Sequence, residues 1–299
     1  MNIVAIDIGG TKTLLTYIQG GSVVAREVWP SDFETWQALT DKVALFCKDR
    51  SFDGIAIASA GMVSSETITP LNTSVLSFVS QIDVRKEVER QFGKPCLLIN
   101  DAAAAAYAEF SEALEHQEVR PAGNLLFVTV STGIGCGLVL SGQPMTSPKG
   151  LACHAGHMRG LPARFTPMEA CSCGLEDCVE NLASGAALGR LASHLTGEPL
   201  SAKELFDSRF DRELSRQLIQ QSTTQVAHLV DTLHLSLDLD CVVIGGSVGI
   251  RDRYFEQLCI DISSLRRPVS PPVMKRARFQ ADSGAMGAAI RLTETLKHG

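Results

Sequence analysis

The chain lacks several features that would have classified it at once. No apolar run reaches the roughly 20 residues a membrane-crossing helix needs, and the apolar opening, residues 1–6, is broken immediately by Asp7. That opening has neither a charged n-region nor a cleavage site, so it reads as a strand and a signal peptide is not expected. Basic charge is also scarce. The 27 Lys and Arg against 33 Asp and Glu leave a formal charge of −6, the wrong balance for a general binder of nucleic acid or membrane surfaces. Two nucleotide signatures are missing. Without G-x-x-x-x-G-K-[ST] a P-loop fold is disfavoured, and without G-x-G-x-x-G after the first strand so is a dinucleotide-binding fold. There is no low-complexity tract or long linker. Nine cysteines, an odd count, with no secretory signal make a reducing cytoplasm the default compartment.

What remains is 299 residues, enough for one large core or two domains. Three short apolar runs, residues 3–8, 125–130 and 241–244, read as buried strands. Each enters a glycine turn: Gly9-Gly10-Thr11-Lys12, Ser131-Thr132-Gly133-Ile134-Gly135 and Gly245-Gly246-Ser247. After the first two turns the chain repeats itself. Strand 14–18 turns at Gly20-Gly21 into 23–28, and strand 138–140 turns at Ser141-Gly142. The repetition predicts two related lobes. Phe33, Trp36, Leu39, Val43 and Phe46 have amphipathic helical spacing. Helices are also expected over 102–110, 181–195 and 212–235, and from Asp282-Ser283 to Leu296. Residues 268–272 read as a proline-rich turn before a final strand.

Glycines after a strand let backbone N–H groups approach phosphate oxygens. Asp7 at the strand end suits Mg²⁺, and Thr11 and Lys12 suit phosphate, although the same string also makes a tight hairpin turn. Asn100-Asp101 follows an apolar strand and opens an alanine-rich helix. A carboxylate there can accept a proton from a hydroxyl attacking a γ-phosphate. The plainer alternative is a helix cap worth about 1 kcal/mol; the company of two phosphate turns and Asp7 favours the base. Cys153, His154, His157, Cys171, Cys173 and Cys178 crowd into about two dozen residues. Three cysteines and a histidine form a closed tetrahedral set for Zn²⁺, with no position left for a reactive water. Cys47, Cys96, Cys136, Cys241 and Cys259 sit singly among apolar residues and read as small buried hydrophobes.

These strings, with Gly150-Leu151-Ala152, Cys178-Val179-Glu180 and Gly284-Ala285-Met286-Gly287-Ala288, resemble the ROK family of sugar kinases over nearly the whole chain. The resemblance implies an α/β, actin-like (ribonuclease H-like) ATPase fold, with two lobes around a nucleotide and sugar cleft. Residues 1–118 with 283–299 would form the first lobe. Residues 119–282 would form the second, with the nucleotide site and zinc loop. It implies ATP-dependent phosphorylation of a sugar 6-hydroxyl with Asp101 as general base. Asn100, His154, His157, Glu180, Gly61 and Asn72 would line the sugar site. ATP would lie under Gly9, Gly10, Thr11, Lys12, Ser131, Thr132, Gly133, Gly245 and Gly246, with Mg²⁺ near Asp7. His157, Cys171, Cys173 and Cys178 would hold a structural Zn²⁺, with Cys153 outside the set. A cytoplasmic homodimer is expected, with no nucleic-acid or membrane partner.

Three departures bear on these expectations. His154 stands where most of the family has glutamate. In this it resembles the members acting on N-acetylmannosamine in sialic acid catabolism, which implies that substrate, with glucose or N-acetylglucosamine as alternatives. Cys136 stands where glycine is common, and a left-handed backbone there would strain the second phosphate turn. Asp177 replaces the usual glycine before Cys178, and the segment from His157 to Cys171 is longer than usual. A sugar-responsive regulator of the same family would carry a helix-turn-helix ahead of the first strand, which here starts at residue 3. A degenerate member kept as a sugar sensor has only Cys136 in its favour.

Overall fold

The structure, a computed structural model, describes residues 1–70, 76–80, 82–166, 169–207, 211–265 and 268–298. Strands β1 (Asn2–Ile8), β2 (Lys12–Gln19) and β3 (Ser22–Pro30) form an antiparallel meander. Helix α1 (Trp36–Cys47) then returns the chain to β4 (Gly54–Ser59), parallel to β1. A small hairpin, β5 (Met62–Val63) and β6 (Ile68–Thr69), precedes α2 (Val84–Phe92), β7 (Cys96–Asn100) and α3 (Asp101–Glu115). The first sheet has the order β3-β2-β1-β4-β7.

The second half repeats the plan. Strands β8 (Leu125–Val130), β9 (Ile134–Leu140) and β10 (Gln143–Pro144) form the meander. A long segment with the Cys and His residues leads to α4 (Val179–Ala183), α5 (Gly185–Thr196) and α6 (Arg212–Leu237). Then come β11 (Cys241–Gly245), α7 (Asp252–Ser264), β12 (Val273–Arg276) and α8 (Ser283–His298). The order β10-β9-β8-β11-β12 matches the first sheet strand for strand. This is the doubled α/β plan of the actin-like fold, and the repeated hairpins of the sequence are its trace. The central strands are buried along their length, as in β4, where all six residues are inaccessible, so they appear as unbroken apolar runs.

Helix α3 runs between the two halves. It packs on β8 and β9 on one side and on β4, β7 and α8 on the other. Its run Ala102–Ala106 is buried throughout, because small side chains alone allow such close approach on every face. Gly137 of β9 and Gly287 of α8 lie against its backbone. A methyl built at Gly137 would stand 1.9 Å from the Ala102 carbonyl oxygen, and one at Gly287 would stand 1.7 Å from that of Ala104.

Two expectations are corrected: Cys259, expected among the buried cysteines, is half-buried where Cys47, Cys96, Cys136 and Cys241 are buried, and a predicted helix is broken. Residues 181–195 do not form one helix. Ser184 is extended, at φ −68° and ψ 163°, and its side chain accepts from the Ala187 N–H at 3.2 Å. It ends α4 and caps α5, as serine prefers to do at a helix start. Among the described residues no helix is long and apolar enough to cross a membrane.

Candidate active site

The end of β7 and the start of α3 decide what Asp101 is free to do. Asn100 holds extended angles and takes the capping position. Its Oδ1 accepts from the N–H groups of Ala102 and Ala103, both at 3.1 Å. Its Nδ2 donates to the Gly61 carbonyl at 3.2 Å, and the same amide is hydrogen-bonded to the Asp101 carboxylate. Asp101 is the first residue of the helix, and one of its oxygens accepts from the Ala102 N–H at 2.8 Å. Burial raises its pKa above the ordinary carboxylate value, against the lowering effect of these backbone bonds. Asp7, at the end of β1, is pushed up to about 8 by burial, then by the nearby charges of Asp101 and Asp282. Carboxylates so placed repel one another, and a divalent cation would relieve all three.

The second and third glycine turns are laced together. Val248 and Gly249 donate to the Val130 carbonyl at 3.0 and 3.1 Å, while Gly185 and Ala186 donate to the carbonyls of Ser131 and Thr132 at 2.7 and 3.1 Å. Gly246 adopts φ +84° against the Val130 carbonyl, a position closed to any side chain. Beside these turns opens a cavity of about 760 Å³, with Ser131, Thr132, Ser247, Val248, Leu200 and Phe206 among its walls. Its size and mixed lining suit a nucleoside phosphate. Gly9, Gly10, Thr11 and Lys12 form the exposed turn of the β1–β2 hairpin and are not on that cavity's walls. They adjoin Asp7 instead.

The Cys and His residues do converge. One ligand atom from each of His157, Cys171, Cys173 and Cys178 lies within 4.8 Å of the others, and Cys153 is outside this set. His157 turns Nδ1 to the cluster, 3.7 Å from Cys171 Sγ. Cys178 Sγ accepts from the Asn181 N–H at 3.4 Å. Burial pushes the Cys178 thiol up to about 12, and a bound cation would favour its thiolate. The donor set and spacing fit zinc. The longer loop is held by α6: Gln225 accepts from the Leu161 N–H at 2.7 Å and donates to its carbonyl at 3.0 Å. Gln221 does the same for Phe165, at 2.8 and 3.0 Å.

Glu180 joins this cluster to the second turn. Its Oε2 accepts from the Ile134 N–H at 2.8 Å beside Gly133, where an added methyl would meet it at 2.6 Å. Its Oε1 lies 3.6 Å from Cys171 Sγ. His154 stacks on His157, with ring centroids 6.3 Å apart. Its Nε2 is buried with no partner. Burial, then the neighbouring His157, lowers its pKa, which favours the neutral ring. Cys136 sits inside β9 opposite Val128 and is not among the residues with positive φ, so the feared strain is absent. Asp177 also avoids positive φ and pairs with Arg159. Asn72 lies outside the described residues. Sequence reasoning missed Gln221, Gln225, Asn181 and the cavity cations Arg190, Lys203 and Arg251. Asn181, Arg190, Gln221 and Gln225 stood as ordinary polar positions of helices, and Lys203 and Arg251 as ordinary polar positions between them.

A sequence model of the ROK family matches residues 3–294. The N-acetylmannosamine kinase of Vibrio vulnificus is 35% identical over 299 residues, covering 99% of both chains. That of Pasteurella multocida is 32% identical over 303 residues, covering 100% of this chain and 99% of the relative. Among solved structures, the ROK hexokinase of Thermus thermophilus superposes over the full length of both chains, with a TM-score of 0.82 and 30% identity.

Proposed function

The chain belongs to the ROK family, and from that premise we propose that it transfers a phosphoryl group from ATP to the 6-hydroxyl of N-acetylmannosamine. The observation that carries the proposal is the division of labour at the head of α3. Asn100 caps the helix and so releases Asp101 from that duty. Asp101 then accepts the proton of the attacking hydroxyl, and its raised pKa makes it a stronger base than an ordinary aspartate. Asn100 and Gly61, joined by their hydrogen bond, form one wall for the sugar, and Asn72 is a further candidate sugar contact by family resemblance. His154, His157 and Glu180 form the other. The unpartnered His154 Nε2 would serve a hydroxyl or acetamido group of the sugar, and whole-length kinship with N-acetylmannosamine kinases favours the latter.

The nucleotide fits the cavity beside Ser131, Thr132, Gly133, Gly245 and Gly246, with its phosphates toward Gly9, Gly10, Thr11 and Lys12. Magnesium held at Asp7 would neutralise charge on the transferred group. Zinc held by His157, Cys171, Cys173 and Cys178 would supply a fixed anchor and no open coordination position. His157 then keeps one ring nitrogen for the sugar, its direction set by the other. Residues 1–118 with 283–299, and residues 119–282, act as the two lobes, consistent with α8 packing on β1, β4 and β7. A homodimer is the expected assembly.

A coupled ADP-release assay over a hexose panel tests the proposal. N-acetylmannosamine should show the highest kcat/KM. A far higher value for glucose would overturn the substrate, and no turnover of any hexose would overturn the kinase.

A further inference from the structure

Arg190 lines the large cavity as a charge without a counter-charge. Its Nη2 donates to Asn181 Oδ1 at 2.8 Å, and among the described residues no carboxylate forms an ion pair with it. Asn181 is 3% exposed, and its side chain is fully engaged. Both amide hydrogens go to backbone carbonyls of the metal loop, to Glu169 at 2.7 Å and Glu176 at 2.9 Å. An amide with both hydrogens so committed cannot flip, because its oxygen would then face two carbonyls. Oδ1 is therefore compelled to face Arg190. The backbone N–H of the same residue meets Cys178 Sγ.

Among the described residues one of the guanidinium's five N–H donors has a protein partner, which leaves four for a ligand. Lys203 and Arg251 line the same cavity, and Glu169 is the carboxylate on its wall. Arg251 lies over the Phe206 ring, 5.6 Å from its centroid, and donates to the Ser247 carbonyl at 3.3 Å. Arg190 is thus the cation of this cavity whose aim is set by a buried group, and that group is shaped by the loop carrying Cys171, Cys173 and Cys178.

We propose that Arg190 binds the anionic part of the nucleotide and that Asn181 is a positioning residue making this contact depend on the metal loop. The inference rests on the phosphotransferase reading and deepens it. An intact loop presents its two carbonyls to Asn181, Asn181 orients Arg190, and Arg190 meets the nucleotide. Loss of the metal should then weaken nucleotide binding although no ligand of the cluster lies on the cavity wall.

The test is calorimetric titration of ADP and, separately, of N-acetylmannosamine into the full chain with its metal, with metal content measured alongside. Arg190→Ala should weaken ADP about 10- to 100-fold, the range for a lost charged hydrogen bond. It should leave sugar affinity and metal content as in wild type. Arg190→Lys, which keeps charge but not the fork, should recover only part of the loss. Asn181→Asp keeps an acceptor for Arg190 but cannot donate to the two carbonyls, so it should lower metal content and ADP affinity together. Removing the metal by chelation should weaken ADP in wild type and change little more in Arg190→Ala, because the effect passes through that side chain. Wild-type ADP affinity in Arg190→Ala overturns the contact. A full further loss on chelating that variant overturns the link through Asn181. A wild-type protein that binds no ADP at all sinks the kinase reading itself, and this inference with it.

Discussion

Replacing Gly137 with alanine should disable turnover without touching a ligand. The new methyl would lie 1.9 Å from the Ala102 carbonyl oxygen, 2.4 Å from its carbon and 2.9 Å from the Ala103 nitrogen. All three belong to the backbone of α3, so no rotamer change relieves the overlap. Reaching even a tight 3.0 Å contact requires β9 and α3 to part by about 1.1 Å. On the far side α3 meets Gly287, where the backbones are equally close, so the helix cannot simply retreat. Asp101 directly precedes Ala102 and moves with it. Misplacing a reacting group by about 1 Å costs on the order of 100-fold in rate, and overpacking of this kind costs about 1–3 kcal/mol of stability. We expect kcat to fall about 100-fold per folded molecule and Tm to drop by a few degrees, with ADP affinity nearly unchanged. The ADP-release assay and a thermal melt measure these quantities. A variant that melts early yet turns over within twofold of wild type would refute the assignment of α3 as the rigid carrier of the base.

Other predictions concern individual groups. Asp101→Asn should reduce turnover by about 100- to 10,000-fold while sugar binding by calorimetry stays near normal; retained activity would remove Asp101 from its role. Cys171→Ala should lose metal and sugar affinity together, and freshly purified wild-type protein without zinc would sink the metal assignment. The raised Asp101 pKa should place the acid limb of kcat/KM above the ordinary carboxylate value of 3.8, with activity lost as pH falls through it; a limb at or below that value would contradict the burial argument. In metal-free protein the Asp7 carboxyl, at about 8 when folded and 3.8 otherwise, binds more protons in the folded chain between those values. Its stability contribution therefore falls as pH rises through that window. Between about pH 8 and about pH 6.5 acidification should raise the Tm of wild type more than that of Asp7→Asn, and equal slopes would contradict it.

Legibility in the sequence followed the range of each interaction. The strand-and-turn pairs, the doubled hairpin and the Cys-x-Cys spacing are local, and each lies in the structure where its pattern implies. Asn100-Asp101 showed that a cap was present but not which residue supplied it. That depends on the extended ψ of 142° at Asn100, which no side chain announces. The break at Ser184 was hidden because serine is tolerated within a helix, and its capping bond forms only once the chain has bent. Arg190, Lys203 and Arg251 share one cavity but come from α5, the segment after it and the loop before α7, with no spacing to connect them. Gln221 and Gln225 resembled the solvent face of a helix. Their burial arises only when a distant loop lies across them.

Those two glutamines grip main chain alone. Each forms a miniature ladder rung with one N–H and one C=O of the loop, and neither reads a side chain. These bonds do not depend on the side chains at the exposed positions 161, 162 and 164, provided 161 keeps the N–H that a proline would lack, whereas Phe165 also packs its ring on the core. Substitutions could accumulate along this stretch while His157 and Cys171 stay in place. Deleting one residue between Leu161 and Phe165 would break one rung or the other. The loop is thus free at its exposed positions and constrained in length, which lets those positions diverge in sequence without moving the Cys and His cluster.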